Sequence, residues 1–148
     1  GDTINTPSML CVEDALDALK WAESIGGCDA LIARCEGSLA VIADWVASAD
    51  WVDFLARDPA TRSCTSVCLT FSSARAGAMD REAQARLAKS LSGLLDTEGV
   101  AHDINGYRDA PPGLRIWTGA TIERDDVEAL MPWLDWAFAE VADEVSVG

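Results

Sequence analysis

The sequence predicts an α+β domain, with a small antiparallel sheet of about three strands and helices packed on one face. Two observations carry that expectation. A chain of 148 residues with 49% hydrophobic content can bury one ordinary core. Its apolar patterning gives the order helix, helix, strand, helix, strand, strand, helix, with short strands and no internal repeat or low-complexity tract.

Taken in order, residues 1–6 read as extended and polar. Thr6 is the expected N-cap, with Pro7 at the first helical position. The first helix then runs to Ile25, with Met9, Val12, Leu16 and Leu19 at helical spacing, and Gly26-Gly27 ends it. Asp29 caps a second helix over about 30–48, built on Leu31, Ile32, Leu39, Ile42, Trp45 and Val46 and slightly weakened by Gly37. Residues 50–58 read as a linker bearing Trp51 and Phe54, and Asp58-Pro59 signals a turn. The β-branched, alternating run 63–71 predicts a strand. After a loop over 72–79, Asp80 caps a helix of about 81–96 with Ala83, Leu87, Leu91 and Leu94 as its stripe. Residues 99–104 and 114–117 read as two further short strands. Thr121 and the acidic Glu123, Asp125 and Asp126 open a last helix, where negative charge suits the positive end of the helix dipole. Val127, Leu130, Met131, Leu134, Phe138 and Val141 form its buried face.

Composition excludes several functions. The net charge of −14 argues against nucleic acid and anionic membrane as partners. No apolar run reaches the roughly 18 residues that span a bilayer. The start, Gly1-Asp2-Thr3-Ile4-Asn5, is no secretory signal and lacks an initiator Met, so the chain reads as a piece of a longer protein. Five cysteines without a framework spacing read as free, mostly buried thiols of a cytosolic protein. Cys64 and Cys68 on one strand face would stand roughly 13 Å apart. Cys28 and Cys35 lie about two helical turns apart. With His102 as the single histidine, no zinc site can be written.

The chemistry concentrates in Tyr107-Arg108-Asp109-Ala110-Pro111-Pro112-Gly113-Leu114-Arg115-Ile116-Trp117-Thr118-Gly119-Ala120. Two arginines flank a Pro-Pro-Gly stiffener in a chain with 11 Lys+Arg against 25 Asp+Glu. Arginine is suited to a bidentate grip on carboxylate or phosphate, and the prolines fix where the guanidinium stands. The plainer readings are a surface ion pair for Arg115, and a salt bridge from Arg108 to Asp109 or Asp103. Asn5 and Thr6 lie just before a helix N-terminus, where an anion fits, although Thr6 also serves as a simple cap. Arg62 reads as a structural salt bridge and His102 as structural. Ser8, Ser63 and Ser66 lie in no nucleophile elbow. The tryptophans read as core and interface.

Together with Ile4-Asn5-Thr6-Pro7-Ser8-Met9-Leu10-Cys11-Val12-Glu13-Asp14, Ala15-Leu16-Asp17-Ala18-Leu19-Lys20-Trp21-Ala22 and Asp58-Pro59-Ala60-Thr61-Arg62-Ser63, this segment closely resembles the phosphoserine aminotransferase family from about residue 2 to about residue 140. The resemblance implies about the last two-fifths of a fold-type I pyridoxal-phosphate transaminase. Residues 1–7 would end the large-domain segment and 8–148 would be the C-terminal small domain. It implies that Arg115 holds the α-carboxylate of the amino acid and that Arg108 helps cradle the substrate's phosphate. Tyr107 stands where many relatives carry histidine. Asn5 and Thr6 would cross a dimer interface to the cofactor phosphate of the neighbouring subunit. The parent implied is a cytoplasmic homodimer of serine biosynthesis, converting 3-phosphohydroxypyruvate and glutamate to phosphoserine and 2-oxoglutarate.

Transamination needs a Schiff-base lysine, and only Lys20 and Lys89 are present, neither in a matching motif. The resemblance therefore places that lysine, the aspartate facing the pyridine nitrogen and the phosphate loop N-terminal to Gly1. It implies no catalytic residue in this chain, and neither tight pyridoxal-phosphate binding nor activity by the chain alone. Its partners would be the N-terminal large domain, a second copy in the dimer and the small-molecule substrates. A repurposed interaction domain is the alternative of a different class, and a transaminase of the same fold with another substrate is a third reading.

Overall fold

A computed structural model describes residues 4–72, 79–107 and 109–146, with side chains to residue 142. Helix α1 spans Met9–Ser24. It starts later than the sequence suggests. Ser8, not Thr6, is the N-cap, in extended geometry with its Oγ accepting from the Cys11 N–H at 3.5 Å. Serine is the stronger cap, and Pro7 then precedes the helix instead of opening it. Gly26 and Gly27 take φ of 114° and 73°, a left-handed turn that leads directly into α2, Gly27–Ser48. Asp29 lies inside the first turn of α2 and the cap is Gly26, without a side-chain hydrogen bond.

Three strands form one sheet in the order β1 (Val52–Phe54), β2 (Ser66–Phe71), β3 (Gly113–Trp117), both pairings antiparallel. A short 3₁₀ turn, Pro59–Thr61, joins β1 to β2. Helix α3, Arg81–Thr97, is capped by Asp80, whose carboxylate accepts from the Ala83 N–H at 2.8 Å, as expected. Helix α4 spans Arg124–Ser146 and carries Pro132 within it.

Two expectations about strands are corrected. The segment read as a linker contains β1, which pairs Val52 with Phe71 and Phe54 with Leu69. The segment 99–104 is not a strand. Asp103 adopts φ of 54°, which breaks extended geometry, and only Asn105 makes a single bridge to Leu114.

The register explains why the helices occupy one face. Val52, Phe54, Val67, Leu69, Phe71, Leu114 and Ile116 alternate onto one side and are buried. Ile42 and Trp45 of α2, Leu87, Leu91 and Leu95 of α3, and Val127, Met131, Leu134 and Phe138 of α4 close over them in one cluster. Trp51 stacks on Phe138 at 4.3 Å and meets Trp45 edge-on at 5.6 Å. Both indoles donate to Asp135, from Trp45 at 3.0 Å and from Trp51 at 2.8 Å, which ties α2 and the start of β1 to α4. Arg34 adds a second tie, donating to the Ala120 carbonyl at 2.7 Å and to Glu123 at 2.5 Å.

Helix α1 is the exception. None of its residues is buried, and Met9, Leu10, Val12, Leu16, Leu19 and Trp21 stay exposed beside α2. All five cysteines are free. Cys11 and Cys28 are exposed, against the expectation of mostly buried thiols, because α1 and the first turn of α2 lie outside the core. Cys35 is buried, and burial, with Cys64 beside it, pushes its thiol pKa up. No described helix is long and apolar enough to cross a membrane. Among the described residues no cluster of His, Cys, Asp and Glu could hold a metal ion.

Candidate functional site

The face of the sheet away from the helices carries the alternate residues of β3, Arg115 and Trp117. Gly113 sets how closely β3 meets β2. A Cβ there would lie 2.0 Å from the Leu69 carbonyl oxygen, so only glycine permits the approach. Two residues on, Arg115 pairs with Cys68 across the strands. Its backbone N–H donates to the Ile104 carbonyl at 2.8 Å, which lays segment 103–105 along the free edge of β3.

That edge segment builds the site. The Arg115 side chain is only 8% exposed, while that of Asp103 is 76% exposed. Nη2 of Arg115 donates to Asp103 Oδ2 at 3.0 Å. The Tyr107 ring covers the guanidinium at 4.3 Å and the Trp117 ring approaches at 5.1 Å. Nε of Arg115 is buried without a hydrogen-bond partner among the described residues. A buried donor on a permanent cation is costly to leave unmatched. The Nε–Nη2 edge is one of the two that can grip a carboxylate bidentately, and here it holds a single oxygen. Arg115 is thus not the surface arginine of the plainer reading, although it does pair with an acid.

The structure brings together Arg115 and Tyr107 of the expected residues and adds Asp103, which the sequence suggests only as a partner for Arg108. Arg108 lies outside the described residues. Asn5 and Thr6 are exposed in the segment ahead of α1, which packs against α2. The described partners of Arg115 come from 103–107 and from β3. Among the described residues Arg62 makes no salt bridge. It donates to the carbonyls of Ala56 at 3.1 Å and Arg57 at 3.5 Å and lies over the Phe54 ring at 3.8 Å, beside an open groove of about 480 Å³ between α2 and β1. His102 Nδ1 contacts the Asp96 carboxylate on the surface.

No protein-family model matches the chain. Over 138 residues, 93% of its length, it is 49% identical to phosphoserine aminotransferase of Methanosarcina mazei and 48% identical to that of Methanosarcina barkeri. This chain is homologous to phosphoserine aminotransferase. It corresponds to the C-terminal portion and spans only 35% of the length of either relative. A putative phosphoserine aminotransferase of Mycolicibacterium vanbaalenii is 28% identical over 135 residues. The fold agrees. The phosphoserine aminotransferase of Bacillus circulans subsp. alkalophilus superposes with a TM-score of 0.74 at 20% identity, covering 92% of this chain and 34% of that one. Another phosphoserine aminotransferase structure, described for radiation damage of its Schiff base, gives the same TM-score at 19% identity.

A Schiff base needs an enclosed lysine. Lys20 on α1 and Lys89 on α3 are both exposed, so the lysines of this portion do not fit a pyridoxal-phosphate site by themselves. Arg115, by contrast, fits the task of gripping an anionic substrate group.

Proposed function

We propose that the chain is the substrate-facing C-terminal domain of a phosphoserine aminotransferase. The parent moves an amino group between glutamate and 3-phosphohydroxypyruvate in serine biosynthesis, as a cytoplasmic, pyridoxal-phosphate-dependent homodimer. The observation that carries this reading is the buried Arg115, with Nε unmatched among the described residues and two aromatic rings against its guanidinium, in a chain close to half identical to such enzymes over nearly its whole length.

Each of the residues expected from the sequence then has a role in binding. Arg115 takes the substrate α-carboxylate bidentately on its guanidinium, and its burial strengthens the pairing and fixes the substrate's orientation. Tyr107 stacks on the guanidinium and presents its hydroxyl for a hydrogen bond to phosphate. Arg108 supplies charge to the same phosphate. Asn5 and Thr6, ahead of α1, reach the cofactor phosphate of a second subunit. The cofactor's lysine comes from the N-terminal large domain, and the exposed apolar residues of α1 suit burial by that domain. High identity to enzymes across 93% of the chain does not favour a repurposed interaction domain.

The test mixes this chain with a separately expressed upstream fragment, pyridoxal phosphate, glutamate and 3-phosphohydroxypyruvate, and measures 2-oxoglutarate. Activity is expected only in the mixture and falls at least about a hundredfold with Arg115→Ala, the loss of a bidentate charged contact. Silence from folded, associated pieces would overturn the reading.

A further inference from the structure

Asp103 is an acidic residue beside the proposed substrate-binding Arg115, and its geometry is unusual in three ways. Among the described residues it is the only non-glycine with positive φ, at 54°. Its neighbour Ile104 is buried and tied to β3 by the Arg115 N–H, so the left-handed turn directs Asp103 back over the strand edge. Its carboxylate is largely exposed, yet one oxygen lies 3.0 Å from Nη2 of the buried Arg115. The pairing uses one donor of the guanidinium edge and leaves Nε, on the same edge, without a partner among the described residues.

We propose that Asp103 is a resident carboxylate that pairs with Arg115 and gives way to an incoming substrate carboxylate, so that it tunes carboxylate affinity by competition. The inference rests on the reading of Arg115 as the carboxylate-binding residue. Nη2 belongs to both edges by which a guanidinium grips a carboxylate bidentately, Nε–Nη2 and Nη1–Nη2, so Asp103 on Nη2 competes with either. Because Asp103 is exposed, it moves into water at little cost once the ligand arrives. Because it is charged, it also rejects ligands that lack a carboxylate able to replace it, which otherwise would leave the guanidinium unpaired.

Steady-state kinetics of the full-length enzyme that contains this chain test the idea. Asp103→Asn keeps the shape and tolerates the left-handed backbone, but removes the charge. It is expected to lower KM for glutamate about two- to fivefold, the size of an exposed ion pair, with the effect on KM and not on kcat. Asp103→Gly, which adopts this φ freely, should move KM in the same direction and serves if the Asn variant folds poorly. Arg115→Ala should raise KM more than about tenfold. An unchanged or higher KM in both Asp103 variants, with the Arg115→Ala effect intact, overturns the role of Asp103 and leaves that of Arg115 standing. An unchanged KM in Arg115→Ala overturns both.

Discussion

Arg115 owes its position to a residue with no side chain. Gly113 lets β3 approach β2 so closely that an added Cβ would sit 2.0 Å from the Leu69 oxygen. The atom it meets is backbone in the central strand, so it cannot turn aside. Gly113→Ala should therefore cost about 1–3 kcal/mol through forced strand separation. The melting midpoint should drop by about 2–4 °C for each kcal/mol, and an unchanged midpoint would sink the argument. Tyr107 and Arg115 are marked in the sequence itself, by the Pro-Pro-Gly stiffener beside them and by the rarity of cations in the chain. Nothing comparable links Asp103 to Arg115. It lies twelve positions earlier in a stretch that reads as a strand, and only its left-handed backbone brings the carboxylate back to the guanidinium.

Helices are the legible elements, because apolar spacing over four or more turns leaves few alternatives. Asp80 and Ala83, Leu87 and Leu91 of the α3 stripe are where the pattern puts them, while Leu95, with Ala88, is buried and Leu94 is only partly so. Strands are less legible. β1 has three residues with Asp53 in the middle, too short for alternation to register. The apolar stripe of α1 is also visible, but periodicity does not say what covers it, and nothing among the described residues buries it. That predicts uneven protection. Backbone amides of α1 in the isolated chain should exchange orders of magnitude faster than those of α3 around Leu87 and Leu91, which are fully buried. Val12→Ser should cost less than about 0.5 kcal/mol, whereas Leu91→Ala should cost about 2–5 kcal/mol. Equal protection of the two helices would mean that α1 is packed in solution, by self-association or otherwise.

At the scale of the molecule, charge is the dominant property. Against 25 carboxylate residues stand 11 Lys and Arg, and the described ion pairs of Arg34, Arg124 and Arg115 tie up three of those cations. Exposed pairs each contribute about 0–1 kcal/mol, and salt screens them. Salt equally screens the repulsion among the excess acids, which opposes the compact state. With a net charge of −14 the repulsive pairs outnumber the attractive ones, so the balance has a definite sign. Raising sodium chloride from about 0.05 to about 0.5 M shortens the screening length from roughly 14 to roughly 4 Å. It should raise the melting midpoint by about 2–4 °C for each kcal/mol of repulsion removed. A midpoint that falls with salt would mean that the specific ion pairs outweigh the excess charge. The same field bears on binding. An anionic substrate approaches a negative domain, so attraction must come from groups close to it, and Arg115, buried and faced by two aromatic rings, is such a group once Asp103 gives way.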